Sequence, residues 1–384
     1  MKGLITIMLT IVSLAGWQCT SPVKKDASSD SGAATKAADP RLADIRLPEG
    51  FSIDIFAEVE NARSLALGDR GTVFVGNKEK NNVYALVDAD KDGRAEKKYI
   101  VAKGMDTPNG VAFRNGTLYI AEVDKIWKIE NIEENLEKPS QPVLVYDKLP
   151  SDDHHGWKYI AFGPDGKLYI PVGAPCNICD ESDRDERYAA ISRMNADATG
   201  FEVYAHGVRN TVGFTWHPET NELWFTDNGR DLMGDNIPPD ELNVATEKGQ
   251  HFGYPYVHAG TVMDPEFGKG HSKDEFVAPA RNLTPHGAAL GITFYTAGMF
   301  PSEYKNQAFI AEHGSWNRTE PIGYRVMIAR MDKSNVTGYE PFAQGWLKDG
   351  KAWGRPVDVL QMPDGALLVS DDYANLVYRI SYNR

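Results

Sequence analysis

A turn followed by a short apolar strand recurs six times along this chain, and that repetition limits its fold more than any other feature. The copies are GDRGTVFVGN (68–77), RNGTLYIAE (114–122), GPDGKLYIPVG (163–173), HPETNELWFTDNG (217–229), KNQAFIAEHG (305–314) and MPDGALLVSDD (362–372). Each sets Gly, Asp or Asn in a turn and then alternates apolar residues, as a hairpin strand does. Counted from Val73, Leu118, Leu168, Leu223, Ala308 and Leu367, the copies lie 45, 50, 55, 85 and 59 residues apart. Further strand-like runs lie between them: NNVYALV (81–87), KIWKIENI (125–132), AAISRMN (189–195), YRVMIARM (324–331) and NLVYRISY (375–382). No stretch carries the period of a long amphipathic helix. Several strands per step of this size fit propeller blades better than sandwich strands. The expected fold is all-β, a six-bladed β-propeller, with seven blades as the alternative count. The 85-residue step should hold the rest of blade four and a long insertion, roughly 231–290.

The N-terminus reads as an address. Met1-Lys2 precedes an apolar run over 4–15 that has signal-peptide length and falls short of the ~20 residues of a spanning helix. Cys19 follows, where a lipoprotein signal would carry its acylated cysteine, although Gly16-Trp17-Gln18 matches such a signal poorly. A cleaved signal with an incidental cysteine is the other reading. The expected organisation is a signal peptide over 1–19, a flexible linker over 20–44 rich in Ser, Ala, Lys and Asp, and the propeller over 45–384. Export follows, either to the periplasm or to a lipid-anchored place on the cell envelope. Lys and Arg number 41 against 54 Asp and Glu, a net charge of −13 that argues against nucleic-acid binding and against docking on an anionic membrane. Membrane contact is expected only through a lipid anchor. Three cysteines are too few for a disulfide-stapled scaffold.

Several segments could carry chemistry. Asp152-Asp153-His154-His155 sets two histidines near carboxylates, which suits a general base as well as a polar interblade loop. Arg209-Asn210 could grip carboxylate or carbonyl oxygens, or simply link two blades. The loop from Asp227 through Asp231, with Asp235, Asp240 and Glu241 beyond, is oxygen-rich and suits a hard cation such as Ca2+; solvated acidic loops look the same. Asp88-Ala89-Asp90-Lys91-Asp92-Gly93 opens like a calcium loop, but Tyr99 stands where the closing Glu belongs, so a hairpin turn is the plainer reading. Cys176 and Cys179 offer two thiols where zinc wants four ligands, and in an exported protein a local disulfide is the plainest reading. Glu312-His313-Gly314-Ser315-Trp316-Asn317-Arg318, with Arg355, could stack on and bind a planar anion. No P-loop, nucleophile elbow or dinucleotide fingerprint is present.

Taken in order, HHGWKYIAFGPDGKLYIPVGAPCNIC (154–179), GVRNTVGFTWHP (207–218), ELWFTDNGRD (222–231), DELN (240–243), GQHFGYPY (249–256), AEHGSWNR (311–318) and GRPVDV (354–359) resemble the glucose/sorbosone dehydrogenases. The sorbosone dehydrogenase-like branch is the nearer one. The resemblance spans about residues 45–384. It implies a six-bladed propeller that oxidises a sugar or sugar-derived aldehyde or alcohol with pyrroloquinoline quinone and Ca2+. It implies His155 as the base that takes the substrate hydroxyl proton while hydride passes to the quinone. Arg209 and Asn210 match the family's pair beside the reactive quinone oxygen. The carbonyls of Gly229 and Arg230 match its calcium ligands, and Arg355 matches an arginine that binds a cofactor carboxylate. Arg63 and His313, at blade ends, are the candidates for a second carboxylate. Three departures stand out: no substrate-site Gln near Pro108-Asn109, Val357 in place of a second arginine, and no cofactor Lys at Gly314. They put glucose specificity in doubt. With no haem motif, the electrons are expected to leave to a separate cytochrome or quinone. A neutral His155 is required, so the rate should rise with pH through its pKa. The alternatives are a Ca2+-dependent propeller lactonase and a non-catalytic propeller that binds glycan or protein.

Overall fold

The structure, a computed structural model, describes residues 39–383; the expected signal peptide, Cys19 and most of the linker fall outside them. Six four-stranded antiparallel sheets follow one another around a ring. The second strand of each is one copy of the repeat: Val73–Asn77, Thr117–Ala121, Leu168–Val172, Leu223–Asp227, Ala308–Glu312 and Leu367–Asp371. The intervening runs supply third strands, among them Asn82–Val87, Ile126–Ile129, Ala190–Met194, Arg325–Asp332 and Leu376–Tyr382. First strands such as Ala62–Leu67, Ala289–Phe294 and Pro356–Gln361 pack against one another around the axis.

The repeated strands are buried along almost their whole length, not on one face only. Each lies between two neighbouring blades, so both of its faces meet apolar side chains. Six clusters fill the six blade interfaces. One example joins Phe74, Val83, Val111, Leu118 and Ile120 between blades one and two. The ring closes on both chain ends: Phe51–Glu58 pairs antiparallel with Leu376–Tyr382, Phe51 opposite Tyr382, and becomes the outer strand of blade six. Asp358 ties blade six to blade one, its Oδ2 accepting from Leu65 N at 2.8 Å.

The long insertion is narrower than its expected span. Pro239–Ala245 and Arg281–Pro285 are the third and fourth strands of blade four, and only the chain between them is inserted. The linker also ends earlier than residue 44. Asp39 caps a short 3-10 turn, Pro40–Leu42, and Leu42 is buried in the core between blades five and six, because an apolar side chain at that point finds a covered seat. The Asp88–Gly93 segment is the hairpin between the third and fourth strands of blade one. Among the described residues no helix is long and apolar enough to cross a membrane.

Candidate functional site

In an antiparallel blade, the loop entering the first strand and the loop leaving the second lie at the same end. His155, Arg209, Asn210 and Arg355 stand in entering loops, and Gly229, His313 and Asp372 in leaving loops. Together with Arg63, near the start of blade one's first strand, all of these line one cavity of about 360 Å3 over the ring. That size suits a small organic molecule. Arg230 is the expected residue whose side chain turns elsewhere: it pairs with the buried Asp264 at 2.5 Å.

His155 has a left-handed backbone (φ 51°), a strain that the surrounding packing maintains. Its Nδ1 lies 2.8 Å from the Ala174 carbonyl. A carbonyl only accepts, so Nδ1 carries the proton and Nε2 keeps its lone pair. Burial, reinforced by the Arg209 charge, pulls the imidazole down to about 2. The ring is therefore neutral across the physiological range. Gly173 makes room for this arrangement: a Cβ there would stand 2.5 Å from His155 Cβ and 3.2 Å from Asn210 Oδ1.

On the opposite wall His313 Nε2 donates to Asp372 Oδ1 at 2.8 Å, and Arg63 Nη1 donates to Asp372 Oδ2 at 2.8 Å. Burial works to raise the Asp372 carboxyl, but these two donors hold it far below the usual range. Burial also lowers His313, to about 4, and outweighs the pull of Asp372. Arg63 is further fixed by Nε donating to Asn109 Oδ1 at 2.8 Å. Arg355 donates to the His313 and Gly314 carbonyls and has no carboxylate partner among the described residues. Arg209 donates to Asn177 and to the Asn228 carbonyl.

Lys78 is the cation that reading the sequence missed. It lines the cavity with its ammonium 4.1 Å from the centre of the Trp157 ring and no ion pair among the described residues. Burial, then Arg63, lowers its pKa. A signal for it existed: Lys78, Asn228, His313 and Asp372 each stand five positions after a repeat anchor. Val357, in the place of the family's second arginine, joins Val212 and Leu290 in a small apolar cluster with Trp157 against it.

The floor beside Gly229 is acidic. Asp240 lines the cavity, accepts from Gly229 N at 3.0 Å and is pushed up to about 7 by burial. Asp227 accepts from the backbone of Arg209 and Asn210 and is pushed well above the usual carboxylate range, by burial and then by Glu241. Among the described residues nothing donates to the Gly229 or Arg230 carbonyl. Buried carboxylates beside free carbonyls form the donor set a hard cation takes.

The model of the glucose/sorbosone dehydrogenases matches residues 120–378. The chain belongs to this family. An uncharacterised protein of Borreliella burgdorferi is 35% identical over 366 residues, covering 91% of this chain and 94% of its own. The aldose sugar dehydrogenase YliI of Escherichia coli is 26% identical over 242 residues, 59% of each chain. The PQQ domain of pyranose dehydrogenase from Coprinopsis cinerea, in its holo form, shares the fold, with TM-score 0.73, 17% identity and coverage of 88% of this chain and 97% of its own.

Proposed function

We infer that this protein is a pyrroloquinoline quinone- and Ca2+-dependent dehydrogenase of a sugar or sugar-derived aldehyde or alcohol, with His155 as the general base. The observation that carries the reading is the neutral, half-buried imidazole of His155, with Nδ1 on the Ala174 carbonyl, lining a cavity walled by Arg63, Lys78, Arg209 and Arg355. The family match and the two named sugar dehydrogenases support it.

A planar polycarboxylate fits this donor set. Lys78 and Arg355 hold no ion pair among the described residues, so a ligand carboxylate would complete both. When bound, the quinone supplies a two-electron acceptor for the substrate hydride. Ca2+, held by the Gly229 and Arg230 carbonyls with Asp240 nearby, would act there as a Lewis acid. The chain's own part is proton transfer and orientation. His155 Nε2 accepts the substrate hydroxyl proton, and the Ala174 carbonyl stabilises the imidazolium through Nδ1. Arg209 and Asn210 stand beside His155 on the same wall of the cavity. Electrons then leave to a separate acceptor, and the N-terminal segment directs export.

The test is a titration of the apo-protein with quinone and Ca2+, read by tryptophan fluorescence, followed by dye reduction against aldoses, sorbosone and simple alcohols. Saturable binding with quinone-dependent turnover supports the reading. Ca2+-dependent ester hydrolysis without quinone binding would replace it with the lactonase.

A further inference from the structure

The Cys176–Cys179 disulfide joins cysteines three positions apart in the loop that leaves blade three's second strand, and the proposed reaction makes no use of it. Asn177 stands inside that small ring. Its carbonyl accepts from Arg209 Nε at 2.9 Å, and its Oδ1 accepts from Arg209 Nη2 at 3.0 Å. The same Oδ1 accepts from Asp231 N at 2.8 Å, and its Nδ2 donates to the Asp231 carbonyl at 3.2 Å. The ring is moored in turn: Cys179 N donates to the hydroxyl of the buried Tyr254 at 3.0 Å.

Arg209 has few other restraints. Its Nη1 donates to Asn228 O at 3.1 Å, and its nearest carboxylate oxygen, on Asp231, lies 3.6 Å away. Two nitrogens of one planar guanidinium held by one residue fix its plane, and a fixed plane is what carboxylate or carbonyl recognition needs. A loop of this kind holds such a geometry only when its backbone is constrained, and a short disulfide ring supplies that constraint. The disulfide is also within reach of solvent, since Cys179 borders a second cavity of about 330 Å3.

We propose that Asn177 is the positioning residue for Arg209, that the Cys176–Cys179 disulfide keeps Asn177 in place, and that reduction of this disulfide weakens binding of the anionic cofactor while the propeller stays folded. The cofactor part rests on the function inferred above. In the reduction, the S–S bond takes two electrons and two protons from dithiothreitol. Two thiols result, and the reagent closes to its cyclic disulfide. An oxidising compartment keeps the bond formed.

Two readouts test this. The first does not involve the cofactor: phenylglyoxal labelling of Arg209, followed by peptide mass spectrometry. Arg209 should be protected in the oxidised protein and label at least about tenfold faster in Asn177→Ala, in the Cys176→Ser/Cys179→Ser variant, and after dithiothreitol. The second is quinone affinity, which should fall about tenfold in each case. Reducing Asn177→Ala should weaken binding no further, because both changes remove one contact. Unchanged labelling, or losses that multiply, would overturn the proposal. Should a variant fail to fold, the dithiothreitol arm on the unaltered protein still decides. If labelling responds but the oxidised protein binds no quinone, the clamp stands and the cofactor reading falls.

Discussion

Replacing Gly173 with alanine adds one methyl group to the tightest contact of the site. The new Cβ would lie 2.5 Å from His155 Cβ, 3.1 Å from His155 O and 3.2 Å from Asn210 Oδ1. Carbon atoms settle about 3.5–4.0 Å apart, so something must move by roughly 1 Å. Gly173 directly follows blade three's second strand and is flanked by the fully buried Val172 and Ala174, so it is the less movable side. The His155 loop moves instead, and the Nδ1 bond to Ala174 O is the first contact to lengthen. A shift of about 1 Å at a reacting group costs on the order of 10²-fold in rate. Overpacking itself costs about 1–3 kcal/mol, a few degrees of melting temperature in a chain of this size. The assay is quinone-dependent turnover beside a thermal melt, with Gly298→Ala as control, because a Cβ there meets nothing within 4 Å. The expected result is turnover down about a hundredfold with a still cooperative melt for Gly173→Ala, and no change for the control. Turnover within threefold of the unaltered protein would refute the claim that this glycine seats the base.

Other expectations concern charge. His155→Ala should leave quinone affinity intact and cut turnover by about 10²–10⁴-fold; intact turnover would end its role as base. With the imidazole held down to about 2, the rate should show no histidine titration between about pH 5 and 9, and a sigmoid centred near 6.5 would mean the ring is solvated during turnover. Lys78→Met should weaken quinone binding about tenfold or more, and an unchanged dissociation constant would remove Lys78 from the carboxylate contacts. Asp358 is lifted to about 7 by burial, above its unfolded value near 3.9, so the folded state holds the extra proton. Its contribution is complete below about pH 4 and is lost as pH rises through 7, at up to about 1.4 kcal/mol per unit. Urea unfolding from pH 4.5 to 8 should give a flatter stability curve for Asp358→Asn, and parallel curves would contradict the burial argument.

The repeat determined the blades because a turn and the strand after it are local: six copies became six second strands, and five further runs became third strands. Of the residues the resemblance picked out, His155, Arg209, Asn210, Gly229 and Arg355 share one cavity, since antiparallel pairing puts those loops at one end, and Arg230 does not line it. Local pattern did not reveal that Phe51–Glu58 closes blade six, or that Leu42 belongs to the core, because the strand that pairs with the first and most of the side chains around the second lie more than 250 residues away in sequence. Lys78 escaped for a similar reason: a lysine after a strand looks solvated until Trp157, from two blades further on, covers it. The largest revision concerns His155, the proposed base. The sequence supplies a histidine with an ordinary pKa. Only the folded chain wraps it with Gly173, Ala174 and Arg209, and removing water from an imidazole beside a positive charge lowers its proton affinity by an amount no local pattern encodes.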